Sequence, residues 1–161
     1  MQKENSSFRQ EGNQLIYTRL LNAPRELVWE VWTDPVHIKE WWGPTGFTLT
    51  HKSMDVKAGK LWKFTMHGYG QDFENKIEYI EVVKPSLLTY RHRDEADTID
   101  FTVYVTFEEI GAKTFLTMRS VFASKEVIEE LDRKVNAIEG GKQNLNRLEN
   151  YINNLGEKSL Q

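Results

Sequence analysis

Cysteine is absent from the 161 residues, which excludes disulfides, thiolate nucleophiles and Cys-ligated zinc or iron–sulfur centres. A cationic surplus is absent too. The 21 Lys and Arg stand against 24 Asp and Glu for a formal net charge of −3, so no excess is left to neutralise a nucleic-acid backbone, and nucleic acid is not an expected partner. No unbroken apolar run approaches the roughly 20 residues that cross a bilayer. Met1 to Gln14 is polar and carries no apolar signal core, which leads to the expectation of a cytoplasmic chain without a membrane span. The four histidines, His37, His51, His67 and His92, lack His-x-His and His-x-x-x-His spacing. Gly68-Tyr69-Gly70 joins two strand patterns and opens no helix. Neither a metal nor any other cofactor is therefore expected.

What the chain does have is aromatic rings: 5 Trp, 6 Tyr and 8 Phe, with Trp29, Trp32, Trp41 and Trp42 close together. Periodicity organises the rest. Gln14 to Asn22 reads as a first strand, Pro24 opens a short helix, and Asp34-Pro35 supplies the cap and first turn of a second that ends at Trp41-Trp42-Gly43-Pro44. Strand patterns follow at about 47–53, 60–67, 74–83, 87–93, 98–108 and 113–122, separated by short turns that include an acidic one at Asp94 to Asp97. Short connections predict antiparallel neighbours. The alternation of Ile99, Phe101, Val103, Val105 and Phe107 with polar residues predicts one apolar and one wetter face. A C-terminal helix capped by Ser124 and running to about Leu155 would cover the apolar face, reaching roughly 46 Å. Two features of that helix are odd: Gly140-Gly141 in its interior, and Lys142 in the middle of the stripe marked by Leu131, Ile138, Leu145 and Ile152. The expectation is an α+β chain of one domain over 1–161, with 1–13 and 156–161 frayed.

The residues also resemble a known family. Ala23-Pro24-Arg25-Glu26-Leu27-Val28-Trp29, Trp41-Trp42-Gly43-Pro44, Met66-His67-Gly68, Asp72-Phe73, Pro85 with Leu87-Leu88-Thr89-Tyr90, Val105-Thr106-Phe107-Glu108 and Glu139-Gly140-Gly141 resemble, in order, the bacterial proteins similar to the C-terminal domain of the activator of Hsp90 ATPase. These fall within the START-like (SRPBCC, Bet v 1-like) superfamily. The resemblance covers about residues 14 to 155. It implies a helix-grip fold, a curved antiparallel sheet of six or seven strands around a long C-terminal helix, with two short helices after the first strand and a cavity between sheet and helix. Many relatives carry Trp where this chain has Gly141, which implies a pocket enlarged or reshaped there.

On that fold the aromatic excess divides into core and candidate ligand wall. Trp62, Phe64 and Phe101 are expected to face the helix, with Met66, Met118, Val135 and Ile138 beside them. Of Trp41 and Trp42, at least one is expected at the cavity mouth or on an exposed patch. His67, Glu139 and Lys142 form a candidate polar cluster at one end of the cavity, with His92, Asp72, Asn75, Arg91 and Gln143 as neighbours. The leading functional reading is binding of a small apolar or amphipathic molecule. The alternative is a protein-interaction module, a chaperone partner of Hsp90 type using exposed indoles and Glu- and Lys-bearing surfaces. A cyclase- or hydrolase-like enzyme ranks third: no catalytic residue is assigned, and His67 with Glu139 is the single pair nominated for acid–base chemistry.

Overall fold

The computed structural model describes residues 5–94 and 99–159, with side chains as far as Gly156. Eight strands form one antiparallel sheet: β1 (Ser6–Glu11), β2 (Gln14–Leu21), β3 (Thr48–Met54), β4 (Leu61–Gly68), β5 (Gln71–Val83), β6 (Leu87–Asp94), β7 (Asp100–Ile110) and β8 (Lys113–Val121). Their order across the sheet is β1-β2-β8-β7-β6-β5-β4-β3. The strands from β3 to β8 follow one another as a meander, and β2 closes against β8. Two short helices, α1 (Arg25–Thr33) and α2 (Pro35–Ile38), connect β2 to β3, and α3 (Lys125–Val135) and α4 (Ala137–Ser159) end the chain. The helix-grip architecture holds.

Three expectations change. The sheet has eight strands and not six or seven, because Ser6–Glu11, expected to be frayed, pairs along its whole length with β2. Phe8 is its apolar anchor and lies directly opposite Tyr17, ring centroids 5.0 Å apart. The long C-terminal helix is two helices. Asn136 adopts the left-handed conformation (φ 54°, ψ 48°), which Asn tolerates because its short amide can bond locally. Asp132 then serves both sides of the break, its carbonyl accepting from Asn136 N at 3.0 Å and its carboxylate from Ile138 N at 3.1 Å. Finally, the acidic turn expected at Asp94 to Asp97 lies, beyond Asp94, outside the described residues.

The caps act as the sequence dictates: Asp34 accepts from Val36 N at 2.8 Å and Ser124 from Val127 N at 3.2 Å. Alternation places Tyr17, Arg19 and Leu21 of β2, Leu116 and Met118 of β8, Val103 and Val105 of β7, Leu88 and Tyr90 of β6, Ile77 of β5 and Trp62 and Phe64 of β4 toward the helices. Against this face pack Val28, Trp29 and Trp32 of α1, Ile128 and Leu131 of α3, and Leu145, Leu148 and Ile152 of α4.

Candidate ligand site

The two adjacent indoles at the end of α2 define the site. The chain there continues in turns, with Trp41 N and Trp42 N both bonded to Ile38 O, and this tight winding sends the rings to different neighbours. Trp41 turns toward α1, where its Nε1 donates to Val31 O at 3.1 Å and its ring meets Trp32 edge-on. Trp42 turns toward the sheet and meets Trp62, Phe64, Tyr90 and His92 at centroid distances of 5.2 to 6.4 Å. Trp41 is 0% and Trp42 4% exposed, so neither stands on the surface, contrary to expectation. Burying an indole removes roughly 200 Å² from water, on the order of 5 kcal/mol, and here both rings obtain it.

Helix α4 fixes the loop that carries them. Asn144 Oδ1 accepts from Gly43 N at 2.9 Å and Gln143 Oε1 from Thr45 N at 3.1 Å. Arg147 Nη1 donates toward the carbonyls of Trp42, Gly43 and Pro44 at 3.2, 3.1 and 3.0 Å. Burial lowers the pKa of this guanidinium from its ordinary value. Gly43 has φ +103°, so the backbone requires glycine, and a Cβ there would also displace the flexible end of Met66, 2.4 Å away at Cε.

Beyond Trp42 the inner face continues as Trp62 stacked on Phe64 (4.0 Å), His92, and Phe101 stacked on Phe122 (4.7 Å). His92 is the polar group of this wall, half-buried between Trp42, Phe64 and Phe101. Its Nε2 lies 3.1 Å from Asn75 Oδ1. Desolvation pushes the imidazole down to about 4, which keeps it neutral at pH 7 with one nitrogen a donor and the other an acceptor. Phe101, like His92, is partly accessible, so the wall reaches solvent at this end.

The expected polar cluster does not assemble. His67 points to the outer face of the sheet, its Nδ1 2.7 Å from Asp72 Oδ1 and its Nε2 2.8 Å from Thr50 Oγ1. Lys142 lies at the opposite edge, its Nζ 4.8 Å from the centre of the Phe8 ring on β1. Glu139 is exposed, and its charge contributes with burial to raising the Tyr17 pKa. Of the nominated acid–base pair, His67 is thus held by Asp72 and Thr50 on the outer face, while Glu139 stands exposed on α4. Arg91 pairs with Asp100 at 2.8 Å and takes no part. Val135, the last residue of α3, is 53% exposed and leaves the candidate wall. Ile138 is partly buried and gives its carbonyl to Tyr17 Oη at 3.1 Å, whereas Met66 and Met118 are buried on the inner face.

Gly141 is not a gap. A Cβ there would lie 2.5 Å from Tyr17 Oη and 2.6 Å from its Cζ, so the tyrosine ring occupies the space that glycine leaves. The residues that sequence reasoning underweighted are His92 and Asn75, placed there only as neighbours of His67. Their signal was parity: His92 shares the alternation of Leu88 and Tyr90, and Asn75 that of Ile77.

The fold and this inner wall can be set against known proteins. The model of the family described as "Activator of Hsp90 ATPase homolog 1-like protein" matches residues 22–153. The chain belongs to this family. Among solved structures, the chain is similar to a protein from Arthrobacter aurescens (TM-score 0.85, 19% identity, covering 92% of this chain and 91% of that one). It is similar also to protein Ms6760 from Mycobacterium smegmatis (TM-score 0.78, 22% identity, 89% and 93% covered) and to CalU16 from Micromonospora echinospora (TM-score 0.64, 21% identity, 91% and 83% covered). Comparison with curated proteins gives no match. The fold of the activator-homologue family is generally a ligand-binding scaffold. Among the described residues no helix is long and apolar enough to cross a membrane.

Proposed function

We propose that this member of the family binds a small apolar or amphipathic molecule against the inner face of the sheet, at the end where Phe101 and His92 reach solvent. The observation that supports the reading is His92 itself. A neutral imidazole in an aromatic wall, its Nε2 beside Asn75, offers one hydrogen-bonding nitrogen amid apolar surface, the composition of a small-molecule site. The partly accessible ring of Phe101, backed by the buried rings of Trp42, Phe64 and Phe122, would supply contact area, and His92, its Nε2 directed to Asn75 Oδ1, would accept from a hydroxyl through its other nitrogen. Of the two surfaces on which the chaperone reading rested, the indoles Trp41 and Trp42 are buried, which leaves it the Glu- and Lys-bearing surfaces and the family's description.

A neutral aromatic probe, N-phenyl-1-naphthylamine, tests the proposal by fluorescence titration. Saturable enhancement at one probe per chain is expected, weakened about tenfold or more in Phe101→Ala, the loss of about 1.4 kcal/mol that an aromatic anchor supplies. Absence of saturable binding, or unchanged affinity in that variant, would overturn the reading.

A further inference from the structure

On the outer face of the sheet, turned away from the aromatic wall, Lys63 of β4, Lys76 of β5 and Arg93 of β6 are direct cross-strand neighbours. Lys63 also lies opposite Ser53 of β3, next to the bulged residue Lys52. Like charges placed directly opposite destabilise a sheet, so three cations in one row call for compensation. The carboxylates within reach are already engaged. Glu74 is bonded by Lys52 and, at 2.7 Å, by Thr65 Oγ1. Glu78 lies 3.6 Å from Arg93, Asp100 is held by Arg91 through both oxygens, and Asp94 accepts from Ile99 N at 2.9 Å. Among the described residues Lys63 and Lys76 form no ion pair. Their side chains, with Lys52, Glu74, Asn75, Lys76's neighbour Arg93 and Asp94, border a depression of about 280 Å³ open to solvent. Four cations against two carboxylates line it, in a chain whose net charge is negative.

We infer that this depression is a binding site for a small phosphate-type dianion. Two lysines on flexible stems can converge as point charges on one tetrahedral anion, and the Arg93 fork adds planar donors to its terminal oxygens. The size of the depression and the negative net charge of the chain favour a single compact anion over a polyanion, whose binding would need a long basic track. The cations of the site lie on the other face from the aromatic wall and Asn75 borders both; substitutions at Lys63 and Lys76 leave that wall intact, so failure of one reading is distinguishable from failure of the other.

The test is a titration of the ¹⁵N-labelled full chain with inorganic phosphate at pH 7.5 and low salt, reading the amide shifts of residues 52, 63, 76 and 93. Saturable shifts confined to this face are expected, with affinity reduced at least tenfold in Lys63→Gln/Lys76→Gln and several-fold in each single variant. Arg9→Gln, on the distant β1 edge, should bind as the parent does. The substituted positions Lys63, Lys76 and Arg9 are exposed, and removing opposed cations should leave the melting temperature equal or higher. Linear, unsaturated shifts, equal binding by the double variant, an equal loss in Arg9→Gln, or saturation by heparin but not by phosphate would each overturn the inference.

Discussion

Replacing Gly141 with Ala adds one methyl group at the closest approach between α4 and the sheet. The ideal Cβ would stand 2.5 Å from Tyr17 Oη, 2.6 Å from Cζ and 3.1 Å from Cε1. Tyr17 cannot swing away freely, because it is 2% exposed, packs against Phe8 and donates to Ile138 O. Either the ring or the helix must shift. Overpacking of this kind costs about 1–3 kcal/mol, and a lost Tyr17 hydrogen bond adds about 1 kcal/mol. The helical preference of Ala over Gly returns roughly 1 kcal/mol, leaving a net destabilisation of about 1–3 kcal/mol. Gly140 is the internal control, since its Cβ would meet only Pro44 Cγ at 3.8 Å, an ordinary contact. Gly140→Ala should therefore stabilise by up to about 1 kcal/mol. Urea denaturation of both variants, followed by far-ultraviolet circular dichroism, should show midpoints moving in opposite directions with unchanged slopes. A Gly141→Ala protein at least as stable as the parent would refute the view that Tyr17 fills this space.

Two further outcomes follow from the same packing. The folded state holds the His92 imidazole at about 4, whereas an unfolded histidine titrates near 6.5. Between those values the unfolded chain binds a proton that the folded chain refuses, so stability is complete above pH 6.5 and is lost as pH falls toward 4. His92→Gln should flatten that part of the curve of urea midpoint against pH, and an equal slope in parent and variant would contradict it. Arg147→Ala releases the carbonyls of Trp42, Gly43 and Pro44 and should cost about 1.5–3 kcal/mol, as for other hydrogen bonds to a charged group. Hydrogen exchange at residues 42–47 should accelerate more than at β7, and uniform acceleration would argue against a local clamp.

How far the sequence alone reaches can be judged residue by residue. Alternation across 99–107 identified β7 and its buried face, and Pro24 and Asp34-Pro35 located the short helices, because these signals act within a few residues of the feature they specify. Ser6–Glu11 went unread because an edge strand with one anchor, Phe8, has no alternation to display. That omission also misled the reading of Lys142, whose amine finds the Phe8 ring on the unseen strand. The break at Asn136 escaped notice because one left-handed residue leaves the seven-residue spacing of Leu131, Ile138, Leu145 and Ile152 intact. Gly141 was recognised as anomalous, but its cause is a tyrosine on β2, and nothing local to a glycine says which ring will meet it. His67 and His92 both end strand patterns. Only their parity relative to buried neighbours separates the one facing Asp72 on the outer surface from the one among the rings.

The ties between α4 and the loop after α2 run from side chains to backbone. Gln143, Asn144 and Arg147 bind the amides of Gly43 and Thr45 and the carbonyls of Trp42, Gly43 and Pro44, groups whose chemistry does not depend on most loop side chains. Tolerance to substitution should therefore be lopsided. Thr45, bound through its amide alone, can change identity with little effect on the anchorage, while a change at Arg147 detaches three peptide units together. In a library of random variants selected for folding, diversity should collect at Thr45 and be scarce at Arg147.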